Sequence, residues 1–326
     1  MRENELGGAR KTVFKSSSMR AIRLLLVYLL IVFVGGALLA PWLYALTQWG
    51  AEQWTGLAPL AKNPFHRFVH RALLGLALIL LWPFFRRLGL RAWRDFGFEN
   101  PRHHWKKILA GFALGFFSLA WVAAFAIALG ARKINFNFSA GVLLRHCLNA
   151  AFVGMLVAVL EETIFRGALF GGLRKDNPWP MALVVSSGIY ALVHFFSRPE
   201  SPTNVEWNSG ILLLPKMLRG FGDFQMLVPG FFTLLLAGMI LSLAYQRTGN
   251  LFFSIGLHAG WIFWLKSYRF ITTEMPATNH WIFGSDKLID GWLPLPILVL
   301  VFLFLLRAPT LILKSRTHGR DARATT

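Results

Sequence analysis

The chain is 326 residues long, 55% hydrophobic and only 15% charged, with a net charge of +19 and a mean hydropathy of +0.51. Soluble domains carry about 25% charged residues, so a soluble globular chain is excluded. The basic excess sits in short loops beside apolar runs, which makes it a topological signal and not a nucleic-acid surface.

Apolar runs long enough to cross ~30 Å of hydrocarbon recur from end to end. They predict an all-α, polytopic membrane protein of about eight transmembrane helices, at residues 22–47, 68–85, 108–130, 141–172, 179–196, 224–246, 250–267 and 293–313. A basic tail, 1–20, precedes the first run, which is span-length and lacks a small-residue cleavage pattern after it, so it reads as a span and not a leader. Within it, Gly35-Gly36 and Pro41 mark a kink or a close helix contact. Residues 86–107, with Trp93, Trp105 and interspersed basic residues, read as an interfacial amphipathic segment. The single Cys147 excludes an internal disulfide and any multi-cysteine metal site, and reads as a small buried residue. The long 197–223 loop reads as a re-entrant piece, a lid or a connector, and the basic 314–326 tail as disordered. With eight spans, nineteen Lys and Arg fall on the side of the termini and nine on the other, so both termini are expected in the cytoplasm. Residues 21–313 read as one domain with no internal repeat.

The fourth run carries Glu161-Glu162-Thr163-Ile164-Phe165-Arg166. A charge in mid-membrane costs at least ~2.5–3.5 kcal/mol, so such residues are functional candidates by default. Glu162 and Arg166 are i and i+4 with the acid N-terminal, the favourable order for an ion pair. Glu161 lies about 140° from Arg166 around the axis, which leaves it available for chemistry. The turn Asp176-Asn177-Pro178 follows, with Glu161 sixteen residues before Asn177 and His194 seventeen after it. In an antiparallel hairpin these two sit at equal depth, about 25 Å along each helix. His258, about ten residues past Thr248-Gly249-Asn250, also falls inside a run. Any one of these histidines reads equally well as an interhelical hydrogen-bond link; two carboxylates, an arginine and two histidines together read as a chemical site. Tyr190, one turn before His194, either packs or orients that histidine. Arg145 and His146 read as interfacial anchors.

At these residues the chain resembles the CPBP family, also called the Abi or type II CAAX prenyl-protease family of intramembrane proteases. The resemblance rests on Glu161-Glu162-Thr163-Ile164-Phe165-Arg166, on Tyr190-Ala191-Leu192-Val193-His194 with Tyr where Phe is usual, and on Ser254-Ile255-Gly256-Leu257-His258 preceded by Arg247-Thr248-Gly249-Asn250-Leu251. It covers roughly residues 145–265. The family's Asn or Asp four residues after the second histidine is Ile262 here, and isoleucine donates no hydrogen bond. Loss of one oxyanion donor can cost ~10²–10³ in rate.

The resemblance implies an intramembrane endopeptidase acting on a membrane-associated protein or peptide, lipidated or not, with lipid and that substrate as partners and no nucleic acid. In that reading Glu161 with His194 activates water, His258 stabilises the oxyanion, and Glu162, Arg166 and Tyr190 support the site. No cofactor is favoured; in a zinc version Glu161, His194 and His258 are the ligands, but no H-E-x-x-H motif supports it. The rival readings are a weak or inactive membrane scaffold of the same fold, for which Ile262 argues, and a proton-coupled transporter, against which the absence of repeats argues.

Overall fold

The computed structural model describes residues 2–308 except 88, 136, 198 and 277, with the backbone alone for 2–22, 93 and 176; the 314–326 tail lies outside the described residues. Two compact units emerge. One takes residues up to Arg91 with Lys175–Asn177 and Leu192–Leu227; the other takes Ala92–Arg174, Pro178–Ala191 and the chain from Val228 onward.

In the first unit α1 (Arg2–Gln53) packs along α2 (Phe65–Arg87). Gly35-Gly36 mark close packing and not a break: α1 runs on through them and Pro41, and a Cβ on Gly36 would come 2.9 Å from the Leu73 Cα. Tyr28 stacks on Phe84 with centroids 4.6 Å apart, and its hydroxyl donates to the Ala77 carbonyl at 2.9 Å. The 197–223 segment holds a short helix, Ser209–Met217, laid against α1 where a side chain on Gly210 would collide with the Ala37 carbonyl.

The second unit holds α3 (Trp105–Ala128), α4 (Ala140–Glu162), α5 (Trp179–Val193) as far as Ala191, α6 (Phe224–Thr248) from Val228, α7 (Phe252–Ile271) and α8 (Pro294–Arg307). Helix α7 is the core, buried on all sides from Phe252 to Trp261. A helix apolar all round is one enclosed by others. Its enclosure on one side comes from glycine. Gly111 and Gly115 on α3 meet Gly256 and Gly260 on α7, and a Cβ at any of the four would run into a backbone carbonyl of the other helix. Small residues four apart on both helices are what let two backbones touch in lipid. Trp261 Nε1 then donates to Ser118 Oγ at 2.9 Å across the same contact. On its other side α7 faces α4, where a Cβ on Gly154 would sit 3.6 Å from Ile262.

Strands β1 (Arg132–Ile134) and β2 (Thr272–Glu274) pair antiparallel, Arg132 opposite Glu274, and tie the chain after α3 to the end of α7. Arg132 is buried there, bound to Glu274 at 3.1 Å and Asp286 at 2.8 Å, with its guanidinium 4.7 Å from the Tyr268 ring centroid. The 86–107 segment, read as interfacial, joins the end of α2 to the start of α3. It forms two 3-10 turns, Trp93–Phe96 and Pro101–His103, because Gly97 takes a left-handed φ of 84° between them and Pro101 starts afresh. Phe96 is buried and its carbonyl lies 3.0 Å from where a Cβ on Gly167 would be.

Among the described residues five helices are long and apolar enough to cross a membrane: Arg23–Gln53, Phe65–Arg87, Trp105–Ala128, Ala140–Lys175 and Phe224–Thr248. The runs expected at 179–196 and 293–313 contain shorter helices, 15 residues at α5 and 14 at α8, about 22 Å long at 1.5 Å per residue. The 250–267 run contains α7, 20 residues long but carrying His258, Lys266 and Arg269. Along α4, Leu144, Leu148 and Phe152 are 61%, 63% and 70% exposed, an outward apolar stripe that belongs in hydrocarbon. The protein is an all-α integral membrane protein.

Candidate active site

Helix α4 changes pitch at the site. Its α-helical part ends at Glu162, Thr163–Phe170 follow as a π-helix, and Gly171–Asp176 return to α. Wide π turns are rare and concentrate at functional sites. A local cause is visible: Thr163 Oγ1 donates to the Val159 carbonyl at 2.6 Å, four residues back, competing with the backbone ladder.

Glu162 is wholly buried, and one oxygen of its carboxylate takes both strong bonds. Arg166 Nη1 donates to Oε1 at 2.9 Å, and His258 Nδ1 donates to the same oxygen at 2.8 Å. The sequence pairs Glu162 with Arg166; the fold adds the imidazole. Because a carboxylate only accepts, the Nδ1 proton is fixed on the Glu162 side, and His258 turns Nε2 the other way. That nitrogen lies 3.8 Å from Glu161 Oε2 and 3.5 Å from the Tyr190 hydroxyl. Glu161 is the more open of the acids, its side chain 26% exposed where that of Glu162 is 0%.

Arg166 is held from three directions. Besides Glu162, its Nη2 donates to the Gly238 carbonyl on α6 at 3.3 Å, and its guanidinium covers the Tyr190 ring at 4.4 Å. Phe165 meets the Tyr190 ring edge-on at 5.1 Å. Two carboxylates and one guanidinium leave a formal negative charge, which His258 balances when both its nitrogens are protonated.

Glu161, Glu162, Arg166, Tyr190 and His258 therefore come together in the second unit. His194 lies in the turn directly after α5, exposed, within the first unit. Ser254, one turn before His258, donates to the Leu251 carbonyl at 3.0 Å. His146 stacks on Phe270 with centroids 3.9 Å apart. Among the described residues no three His, Cys, Asp or Glu side chains are grouped to hold a metal ion. The Gly238 carbonyl is a site partner that sequence reasoning missed; a backbone acceptor leaves no mark in residue types.

Residues 143–264 match the model of the type II CAAX prenyl endopeptidase Rce1-like family. The site segment is Rce1-like. That match takes in Glu161, Glu162, Arg166, Tyr190, His194, His258 and Ile262. No curated protein and no solved structure gives a significant match. In this Rce1-like segment Ile262 stands one turn after His258 on the same face of α7, against Gly154 of α4, where it offers only hydrocarbon.

Proposed function

We propose that the protein is an intramembrane endopeptidase that hydrolyses a peptide bond in a membrane-associated protein or peptide. The observation that carries this reading is His258, oriented by buried Glu162 so that Nε2 and Glu161 Oε2 face one another at 3.8 Å. In the proposed reaction Glu161 takes a proton from water as the water oxygen attacks the scissile carbonyl carbon, and the family resemblance alone gives His194 a part in that step. The carbonyl π electrons move to oxygen, where the Nε2–H of a doubly protonated His258 stabilises the charge. Collapse re-forms the carbonyl, breaks the C–N bond, and delivers the proton from Glu161 to the leaving amine. Glu162 and Arg166 keep His258 in place. No step passes through a metal. Eight spans, both termini in the cytoplasm and a protein substrate, lipidated or plain, with no nucleic acid, complete the reading. Lipidated peptides come first for testing, because the matching family is one of prenyl endopeptidases.

Purified protein in bilayers, offered prenylated and plain peptide libraries, is expected to cleave, to keep cleaving in chelator, and to lose at least ~10²-fold in each of Glu161→Ala, His194→Ala and His258→Ala. Cleavage that persists in the Glu161 and His194 variants contradicts the assignment. Chelator inactivation rescued by zinc contradicts the metal-free route. Peptide binding without cleavage by the wild-type chain favours the scaffold reading, which draws on Ile262.

A further inference from the structure

The Tyr190 hydroxyl reaches the imidazole of the site from a buried, tightly held ring. The ring is 3% exposed and is held on one side by the Arg166 guanidinium at 4.4 Å and edge-on by Phe165 at 5.1 Å. Its hydroxyl is thereby brought to within 3.5 Å of His258 Nε2, the imidazole nitrogen that Glu162 leaves pointing into the site. At 3.5 Å the two atoms make at most a weak bond with each other. Two donors at that separation can instead share a third atom: an oxygen about 2.8 Å from each, the donor distance of an oxyanion site, would see them about 75° apart. On α7 itself the residue one turn beyond His258 on the same face is Ile262, which packs toward Gly154 and donates nothing.

We infer that Tyr190 is a catalytic residue whose hydroxyl donates, beside His258 Nε2, to the oxyanion of the tetrahedral intermediate. This rests on the hydrolytic reading of the same site and deepens it. The tyrosine makes no covalent bond and keeps its proton; its hydrogen bond strengthens as the carbonyl oxygen gains charge, so its effect falls on the transition state and not on substrate binding.

The test is binding of a peptidyl phosphinate, whose tetrahedral anionic oxygens mimic the oxyanion, beside binding of an intact substrate peptide to chains made inactive by Glu161→Gln. Tyr190→Phe removes one oxygen and keeps the ring under Arg166. It is expected to weaken phosphinate binding about 10–10²-fold, to lower kcat by a similar factor with KM unchanged, and to leave substrate-peptide binding as it was. Phe165→Leu, which loosens the ring but keeps the hydroxyl, is expected to leave the ratio of phosphinate to substrate affinity unchanged. Equal affinity of wild type and Tyr190→Phe for the phosphinate overturns the inference, as does parallel loss for phosphinate and substrate. A wild-type chain that neither cleaves nor prefers the phosphinate overturns the hydrolytic reading itself.

Discussion

Arg166 is the residue whose removal tests the buried charge balance most sharply. It is 1% exposed and paired at 2.9 Å with a fully buried carboxylate. Removing one partner of such a pair strands the other charge in low dielectric, at a cost of about 3–5 kcal/mol. Arg166→Met keeps most of the volume. It also forfeits the bond to the Gly238 carbonyl and the contact with the Tyr190 ring, worth about 1 kcal/mol and 2 kcal/mol respectively. Opposing this, His258 Nδ1 still donates to Glu162, so a loss of about 3–5 kcal/mol is the expected net. Neutralising both partners, with Glu162→Gln added, removes the stranded charge while leaving an amide oxygen for His258. The double variant is therefore expected to recover at least about 2 kcal/mol relative to the sum of the singles. Denaturant titration in mixed micelles, followed by tryptophan fluorescence, measures all three variants. A single-variant loss below about 1 kcal/mol, or strict additivity in the double, refutes the reasoning.

Other perturbations separate the scaffold from the site. Gly256→Val places a branched side chain against the Ile108 carbonyl; thermal unfolding in detergent is expected to show a loss of about 2–4 kcal/mol, with cleavage per folded molecule falling because α7 carries His258. Arg132→Ala removes a guanidinium that joins Glu274, Asp286 and Tyr268 and touches none of the site residues. Its two carboxylate partners are a third to a half exposed and stay hydrated, so a smaller loss of about 1–3 kcal/mol is expected, with the specific cleavage rate unchanged. A rate loss at Arg132 as large as that at Gly256 would argue against this separation.

What was legible in the sequence was local. The i, i+4 order of Glu162 and Arg166 foretells their ion pair, because helix geometry alone brings them together. The Nδ1 bond from His258 to the same oxygen joins residues 96 apart in sequence, and no periodicity encodes it. The glycines of α3 and α7 carry their four-residue spacing openly, yet one helix's spacing does not say which other helix it meets. Apolar runs marked the helices but overstated one: α5 stops at Val193, where hydropathy alone continues, while residues 309–313 of the last run lie outside the described residues. In residues 86–107 a basic, tryptophan-bearing composition says nothing of local backbone, where Gly97 and Pro101 impose turns.

The most direct measurement of the central claim is cleavage of a substrate peptide in water enriched in ¹⁸O, followed by mass spectrometry of the new C-terminus. One labelled oxygen in that carboxylate with the wild-type chain, and no product from Glu161→Gln despite undiminished peptide binding, is the predicted result. Product formed at the wild-type rate by Glu161→Gln, or product whose new terminus carries no label, would contradict it.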